Sequence, residues 1–334
     1  MPKDALRKVH LVSYATGRFK VVRNNLNDSA REYGIDNIVS YDDSDLHSTD
    51  YYLQNKEILD EDCGAGYWAW KPYFILSTFR RLRDGDILLY CDAGSLLIGS
   101  PEPLLKLAAR HPSGIILFDA RPLKCRQFTK RDCFVRMNCD RPVFWNANKI
   151  IATVLLVRKC PRAVVFLEEW LFYCQDRAII SHDPNLGGLP DLPGFIQHRN
   201  DQSILNVLAV KYRLETFRNP TVWGNFLKLP SFRVPGEPVL SPYNLLPEIQ
   251  SYSPRPQRNS PYGTIFEINR SPNLQAKPPM PVDVLSRASQ GIDDVGLVAH
   301  VCRFIAVSSR KLSPRRFFAR MKRIVGSIKR WLVH

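Results

Sequence analysis

The chain is 334 residues long, enough for one large α/β domain or a domain with an appendage, and its 45% hydrophobic and 24% charged content is that of a folded globular protein, not a disordered one. No uninterrupted apolar run approaches the roughly 20 residues of a membrane-spanning helix, and the N-terminus runs from Lys3, Arg7 and Lys8 straight into a strand pattern without a signal-peptide core, so ordinary secretion is not expected. The net charge of +15 is uneven: nine Lys and Arg lie in residues 306–334, which hold no Asp or Glu, so the first 305 residues carry only +6.

In chain order, Val9-His10-Leu11-Val12-Ser13-Tyr14 reads as a first strand and Ala15-Thr16-Gly17 as the turn after it. A helix is expected over residues 19–33, stopped by Gly34, with a second strand over 35–41, which makes a βαβ opening. Residues 42–50 are polar and acidic and read as a loop. Gly64-Ala65-Gly66-Tyr67-Trp68-Ala69-Trp70-Lys71-Pro72 then gives way to a helical pattern at Tyr73, Ile75, Leu76, Phe79 and Leu82, with Pro72 suited to the first helical position. Lys71 is thereby placed at a helix N-terminus, where a cation gains nothing from the macrodipole. Either an anion such as a diphosphate lies between them, or Lys71 is simply solvated beside the packing rings of Trp68 and Trp70.

The stretch from Asp84 to Ser95 organises the rest. The turn signal Asp84-Gly85 precedes Ile87-Leu88-Leu89-Tyr90-Cys91, an apolar run suited to a fully buried strand, which ends abruptly in Asp92-Ala93-Gly94. Ligands of parallel α/β sheets sit beyond the carboxyl ends of the strands, so Asp92 would present a carboxylate there and Gly94 would permit close approach. An ordinary Asp-Gly type turn is the competing reading. Next come a helix over 101–110 and a strand over 115–119, again ending in Asp, and then the charged cluster Lys124, Arg126, Lys130, Arg131, Asp132 and Arg136, which suits either a phosphate or acceptor grip or a solvated face. A strand is expected over 150–157 and an amphipathic helix over 164–174. Residues 184–193 are rich in Gly and Pro and read as a loop over the site or as a plain connector. Asn200 is a candidate N-cap, with Asp201 in the first turn, and residues 212–217 return as a strand.

From 220 to 281 the texture changes: thirteen of the twenty-five prolines fall there, too many for regular helix or sheet. In the tail, Phe317, Met321, Ile324, Ile328 and Trp331 recur at steps of four and three beside Arg316, Arg320, Arg323 and Arg330. Such a basic amphipathic helix suits an anionic membrane surface; docking on its own domain is the alternative. The eight cysteines form no Cys-x-x-Cys pair and read as reduced thiols of a cytoplasmic protein, so a zinc site is not expected.

The Gly64–Pro72, Asp84–Ser95, 150–157 and His198-Arg199-Asn200-Asp201-Gln202 stretches, in this order, resemble the nucleotide-sugar-dependent glycosyltransferases of the GT-A fold. The nearest are the glycogenin-like and lipopolysaccharide galactosyltransferase-like enzymes and capsule-type transferases carrying Trp-Lys-Pro. The resemblance spans roughly residues 9 to 217. It implies an α/β, Rossmann-like GT-A fold with a mixed, mostly parallel sheet over 1–219; beyond it, on composition and pattern alone, a Pro-rich extension over 220–305, with the acceptor side as one option for it, and the basic helix over 306–334 are expected. It implies a hexosyltransferase acting on a saccharide or lipid-linked acceptor in surface-glycan synthesis; the cysteines and the tail pattern add the expectation of a cytoplasmic protein, with peripheral contact on the cytoplasmic face of a membrane as an option. Tyr14, Thr16 and Gly17 would contact the nucleotide, with Lys71, Asp92 and Gly94 also at the donor, and Asp92 and Asp201 would be catalytic. One departure matters. The usual Asp-x-Asp is here Asp92-Ala93-Gly94, so Mn²⁺ or Mg²⁺ would be held by Asp92 with Asp201, His198 or His300 completing the set, or Lys71 would supply the charge instead. Two rivals stand beside this reading: an inactive relative that binds glycan or membrane, and a basic nucleic-acid-binding protein, which the tail-weighted charge and the lack of a nucleic-acid motif disfavour.

Overall fold

The computed structural model describes residues 7–225 and 257–268. Nine strands run in chain order: β1 Val9–Tyr14, β2 Asn37–Tyr41, β3 Ile87–Cys91, β4 Ser95–Leu97, β5 Ile115–Lys124, β6 Asn148–Ile150, β7 Val154–Arg158, β8 Thr216–Arg218 and β9 Phe266–Ile268. The five longer helices are α1 Phe19–Glu32, α2 Trp70–Arg80, α3 Glu102–Arg110, α4 Pro161–Cys174 and α5 Asn200–Lys211.

Seven strands form one sheet in the order β2-β1-β3-β7-β5-β6, with β8 alongside β5. β2 and β3 both pair with β1 in parallel, and β8 is parallel to β5, whereas β7 is antiparallel to β3 and β5 and β6 is antiparallel to β5. Five of the seven therefore point one way, and the architecture is α/β with a mixed, mostly parallel sheet, as expected. All five residues of β3 are buried because the strand is covered on both faces. Leu88 and Tyr90 enter one core with Phe74 of α2, Trp170 of α4 and Leu205 of α5. Ile87, Leu89 and Cys91 enter the opposite core with Leu26 of α1 and Leu104 of α3. The strand's two-residue period thus divides its side chains between two helical layers.

The connectivity positions the site. From β1 the chain crosses to one side to make β2 and then returns to the other side to make β3. The order reverses at β1, so a crevice opens outside the carboxyl ends of β1 and β3, the general position for ligands in such sheets. Tyr14 ends β1 and Asp92 follows β3.

Several local expectations change. The polar segment 42–50 is not a loop but carries short helices over Asp43–His47 and Asp50–Gln54. Asp42 starts the first with a capping box, accepting from the Ser44 and Asp45 N–H groups while Asp45 accepts from its own N–H, and Thr49 caps the second. The apolar run 150–157 is split: β6 ends at Ile150 and β7 starts at Val154, because the chain steps from one neighbour of β5 to another. The strand expected over 212–217 shrinks to β8, as residues through Leu214 close the end of α5 with bonds to the Leu208, Val210 and Ala209 carbonyls. Asn200 does not cap α5; its side chain donates to the Ile180 carbonyl at 2.7 Å and its φ is +49°. The seven described cysteines are all free thiols.

Of the proline-rich extension, residues 257–268 are described. They return to the first body: β9 pairs antiparallel with β4, and the Ile265 and Phe266 N–H groups donate to the Pro220 carbonyl. The tail helix expected over 317–332, the membrane contact assigned to it and His300 lie outside the described residues. Among the described residues no helix is long and apolar enough to cross a membrane.

Candidate functional site

β3 hands over to a four-residue turn. The Asp92 N–H donates to the Thr153 carbonyl at 2.8 Å, and the Ser95 N–H closes the turn on the Asp92 carbonyl at 2.9 Å. Gly94 is buried in this turn, and β4 follows directly. Tyr90 Oη donates to Asp92 Oδ1 at 2.8 Å, so the strand's last inward ring orients the carboxylate just beyond it. The Asp92 side chain is 31% exposed and opens on the crevice end of the sheet.

Lys71 reaches this carboxylate through an unusual piece of backbone. Residues 64–68 all have positive φ: Gly64 +63°, Ala65 +51°, Gly66 +94°, Tyr67 +52° and Trp68 +59°. Three of them carry a Cβ, and left-handed backbone costs each about 1–2 kcal/mol. Such strain persists only where its surroundings over-determine it. Here Gly66 donates to the Glu61 carbonyl at 2.7 Å, Trp70 Nε1 donates to the Gly64 carbonyl at 3.0 Å, and Trp70 stacks on Tyr14 with centroids 4.0 Å apart. A Cβ on Gly66 would lie 2.6 Å from Leu59 Cα, so only glycine fits. The turn delivers the chain into α2 with Lys71 in the first helical turn, its side chain only 3% exposed.

The Lys71 ammonium lies among three oxygens: Asp201 Oδ2 at 2.9 Å, the Ala152 carbonyl at 3.2 Å and Asp92 Oδ1 at 3.3 Å. It also lies 5.3 Å from the centre of the Tyr90 ring. Asp201 comes from the first turn of α5, and Trp170 Nε1 of α4 holds its backbone carbonyl at 3.1 Å. Its side chain is 4% exposed. Burial opposes the charge of Lys71, yet the Asp201 and Asp92 carboxylates outweigh it and raise its pKa above the usual lysine value. Burial also dominates at Asp201 and pushes its carboxyl up to about 6, with Lys71 pulling the other way. The Tyr90 hydroxyl is held protonated by burial and by the Asp92 charge beside it.

Lys71, Asp92 and Asp201 are thus brought together, with Tyr14 joined to them through Trp70. Lys71 faces the protein's own pair of carboxylates and, at 3% exposure, is not the solvated lysine of the alternative reading. Thr16 and Gly17 form the turn that opens α1, accepting from the Phe19 and Lys20 N–H groups, with Gly17 exposed. Burial raises the Tyr14 hydroxyl well above its ordinary pKa. Sequence reasoning missed Tyr90 and the Ala152 carbonyl; the two-residue period that points Tyr90 toward α2 was a usable signal, and a backbone carbonyl leaves none. The cationic cluster is largely committed to structure. Arg131 pairs with Asp140 at 2.9 Å, Arg136 with Asp176 at 3.2 Å, and Lys124 donates to Asn148 at 2.7 Å. The loop 184–193 is pinned beside them, as the buried Asp132 carboxylate accepts from the Leu186 and Gly187 N–H groups at 2.6 and 3.2 Å.

The described residues do not fit a divalent cation. Asp92 Oδ1 is already shared by Lys71 and Tyr90. His198 is buried, its Nδ1 accepts from the Lys130 N–H at 3.2 Å, and burial, with Lys130 and His182 near, holds the ring pKa well below its usual value. Its proton therefore sits on Nε2, and neither nitrogen has a lone pair to give a metal. Among the described residues no group of three or more His, Cys, Asp or Glu is placed to hold one.

Fold and site together define an α/β protein with one partly open carboxylate, Asp92, at the switch point of its sheet. Its fold is similar to that of solved glycosyltransferases. Mouse xyloside xylosyltransferase 1 matches at 9% identity and TM-score 0.43, over 80% of this chain and all of that one. The galactosyltransferase LgtC, in complex with donor and acceptor sugar analogs, matches at 12% identity and TM-score 0.37, over 86% of this chain and 97% of that one. The bifunctional glycosyltransferase WbbM matches at 9% identity and TM-score 0.38, over 66% of this chain and 40% of that one. These are remote likenesses of fold. No family model and no curated protein sequence matches the chain.

Proposed function

We propose that the chain is a glycosyltransferase that moves a sugar from a nucleoside-diphosphate sugar to a saccharide or lipid-linked acceptor, at the cytoplasmic face of a membrane in surface-glycan synthesis. One observation carries the reading: Asp92 stands at the switch-point crevice as the open member of a Tyr90–Asp92–Lys71–Asp201 chain whose other side chains are buried. A carboxylate fixed in this way is suited to accept hydrogen bonds from sugar hydroxyls, and fixing it in advance lowers the cost of ordering it in the transition state. Thr16 and Gly17, beyond the neighbouring strand end, are suited to the nucleotide. Asp201, at 4% exposure, acts through Lys71 as a positioning residue. The membrane role of residues 306–334 belongs to the same proposal and rests on their sequence pattern.

The test is a thermal-shift panel of UDP-, GDP- and CMP-sugars followed by turnover. A donor at about 100 times its Kd adds about 2.7 kcal/mol, which at about 2–4 °C per kcal/mol is a shift of about 5–11 °C. Asp92→Asn is expected to abolish both shift and transfer. No shift with any donor refutes the reading, and a shift without turnover under any acceptor supports the second one, an inactive glycan-binding relative, which Gly94 in place of a second carboxylate favours.

A further inference from the structure

We propose that the Lys71 ammonium is the resident cation of the Asp92 site, so that nucleotide binds there without a divalent metal. This rests on the nucleotide-sugar reading of the crevice. In Asp-x-Asp sites the second carboxylate completes the ligand set of a cation; here that position is Gly94, which brings no oxygen on a side chain. The carboxylate that does approach Asp92 comes instead from α5, and between the two lies an ammonium with three oxygens within 3.3 Å. One positive charge thus stands between two carboxylates, within 3.3 Å of both. A divalent ion on Asp92 would have to approach that buried ammonium at close range, where like charges repel. At Oδ1 it would also compete with the Tyr90 hydroxyl, which donates to that oxygen at 2.8 Å. The lysine is not free to leave: its side chain is 3% exposed, and the strained turn before it is clamped by Trp70. The other candidate ligands among the described residues are engaged or protonated: Asp201 Oδ2 lies against Lys71, and His198 Nδ1 accepts from the Lys130 N–H, which puts the ring proton on Nε2.

Two measurements decide it, neither needing an acceptor. The first is electron paramagnetic resonance of Mn²⁺ titrated into the wild-type protein alone. The free-ion signal is expected to stay undiminished, and stoichiometric binding that is lost in Asp92→Asn would overturn the proposal. The second is calorimetry of UDP and GDP against the wild type, in EDTA and in millimolar Mn²⁺ corrected for the metal the nucleotide binds itself. Affinities within about twofold of each other support the proposal, and a gain of about tenfold or more with Mn²⁺ overturns it while leaving the glycosyltransferase reading intact. Failure of both nucleotides in both buffers counts against the nucleotide-sugar reading, and the Mn²⁺ titration still decides the cation. If Lys71→Met folds, it should lose nucleotide affinity at least about tenfold in EDTA and regain part of it with Mn²⁺, as the vacated position between two carboxylates accepts the ion.

Discussion

Replacing Lys71 by methionine keeps the length of an apolar stem and removes only the charge. Asp201 is then left buried without its cation, at a site where burial already pushes the carboxyl to about 6 in the cation's presence. Removing one partner of a buried ion pair costs about 3–5 kcal/mol. The loss has a definite pH signature. The folded-state pKa of Asp201 already lies above its usual 3.8 and rises further without Lys71, so its contribution to stability is present below about 3.8 and disappears as the pH rises through the folded value. The gap between wild type and Lys71→Met should therefore widen with pH, by up to about 1.4 kcal/mol per unit. Urea unfolding followed by tryptophan fluorescence at about pH 5 and about pH 8 reads it directly. The double variant Lys71→Met, Asp201→Asn should recover most of the loss at the higher pH. Equal losses at both pH values, or a double variant no more stable than the single one, would show that the ammonium does not compensate Asp201.

Three further outcomes follow from the geometry. His198 is held neutral by burial, its pKa well below the usual 6.5, so wild-type stability should be full above about pH 6.5 and fall below it by up to about 1.4 kcal/mol per unit; in His198→Gln, which can still accept from Lys130, that part of the slope should vanish in pH-dependent urea midpoints. Gly66→Ala places a Cβ 2.6 Å from backbone of Leu59 and should cost at least about 2 kcal/mol in thermal unfolding, whereas Gly188→Ala, also at positive φ but with nothing within 4 Å, should cost about 1 kcal/mol; equal losses would refute the steric account. Trp170→Phe keeps most of the ring but removes the bond to the Asp201 carbonyl, and about 1–3 kcal/mol should be lost in denaturant titration.

Much of the scaffold was legible because its signals are local. β1 and β3 are apolar runs bounded by turn residues, and α1 ends where Gly34 follows it, so each is written within a few residues. Asp92 was legible for the same reason, as the residue where a buried run stops. The partnership of Lys71 was not. A lysine at a helix start suggested a diphosphate, but nothing in the pattern around Asp201 shows that its carboxylate comes back to Lys71, because a first-turn Asp is favourable on any helix. The break between β6 and β7 was hidden as well: Ile150-Ile151-Ala152-Thr153-Val154 is apolar enough to read as one strand, and only the pairing partners of β5 show that the chain changes place there.

The return of residues 257–268 gives the amino-acid order a bearing on how this chain can be shortened. β4 begins one residue after Gly94, and its only described strand partner is β9, with Leu97 facing Phe266 in register and both buried. A chain cut at residue 219, where the sequence resemblance stops, would lose that strand and bare an edge of unpaired backbone and apolar side chain, the kind of surface on which chains associate with one another. Such a fragment is expected to aggregate, and with it would go the support on the far side of the turn that holds Asp92. The smallest piece that keeps the crevice intact therefore extends through Ile268.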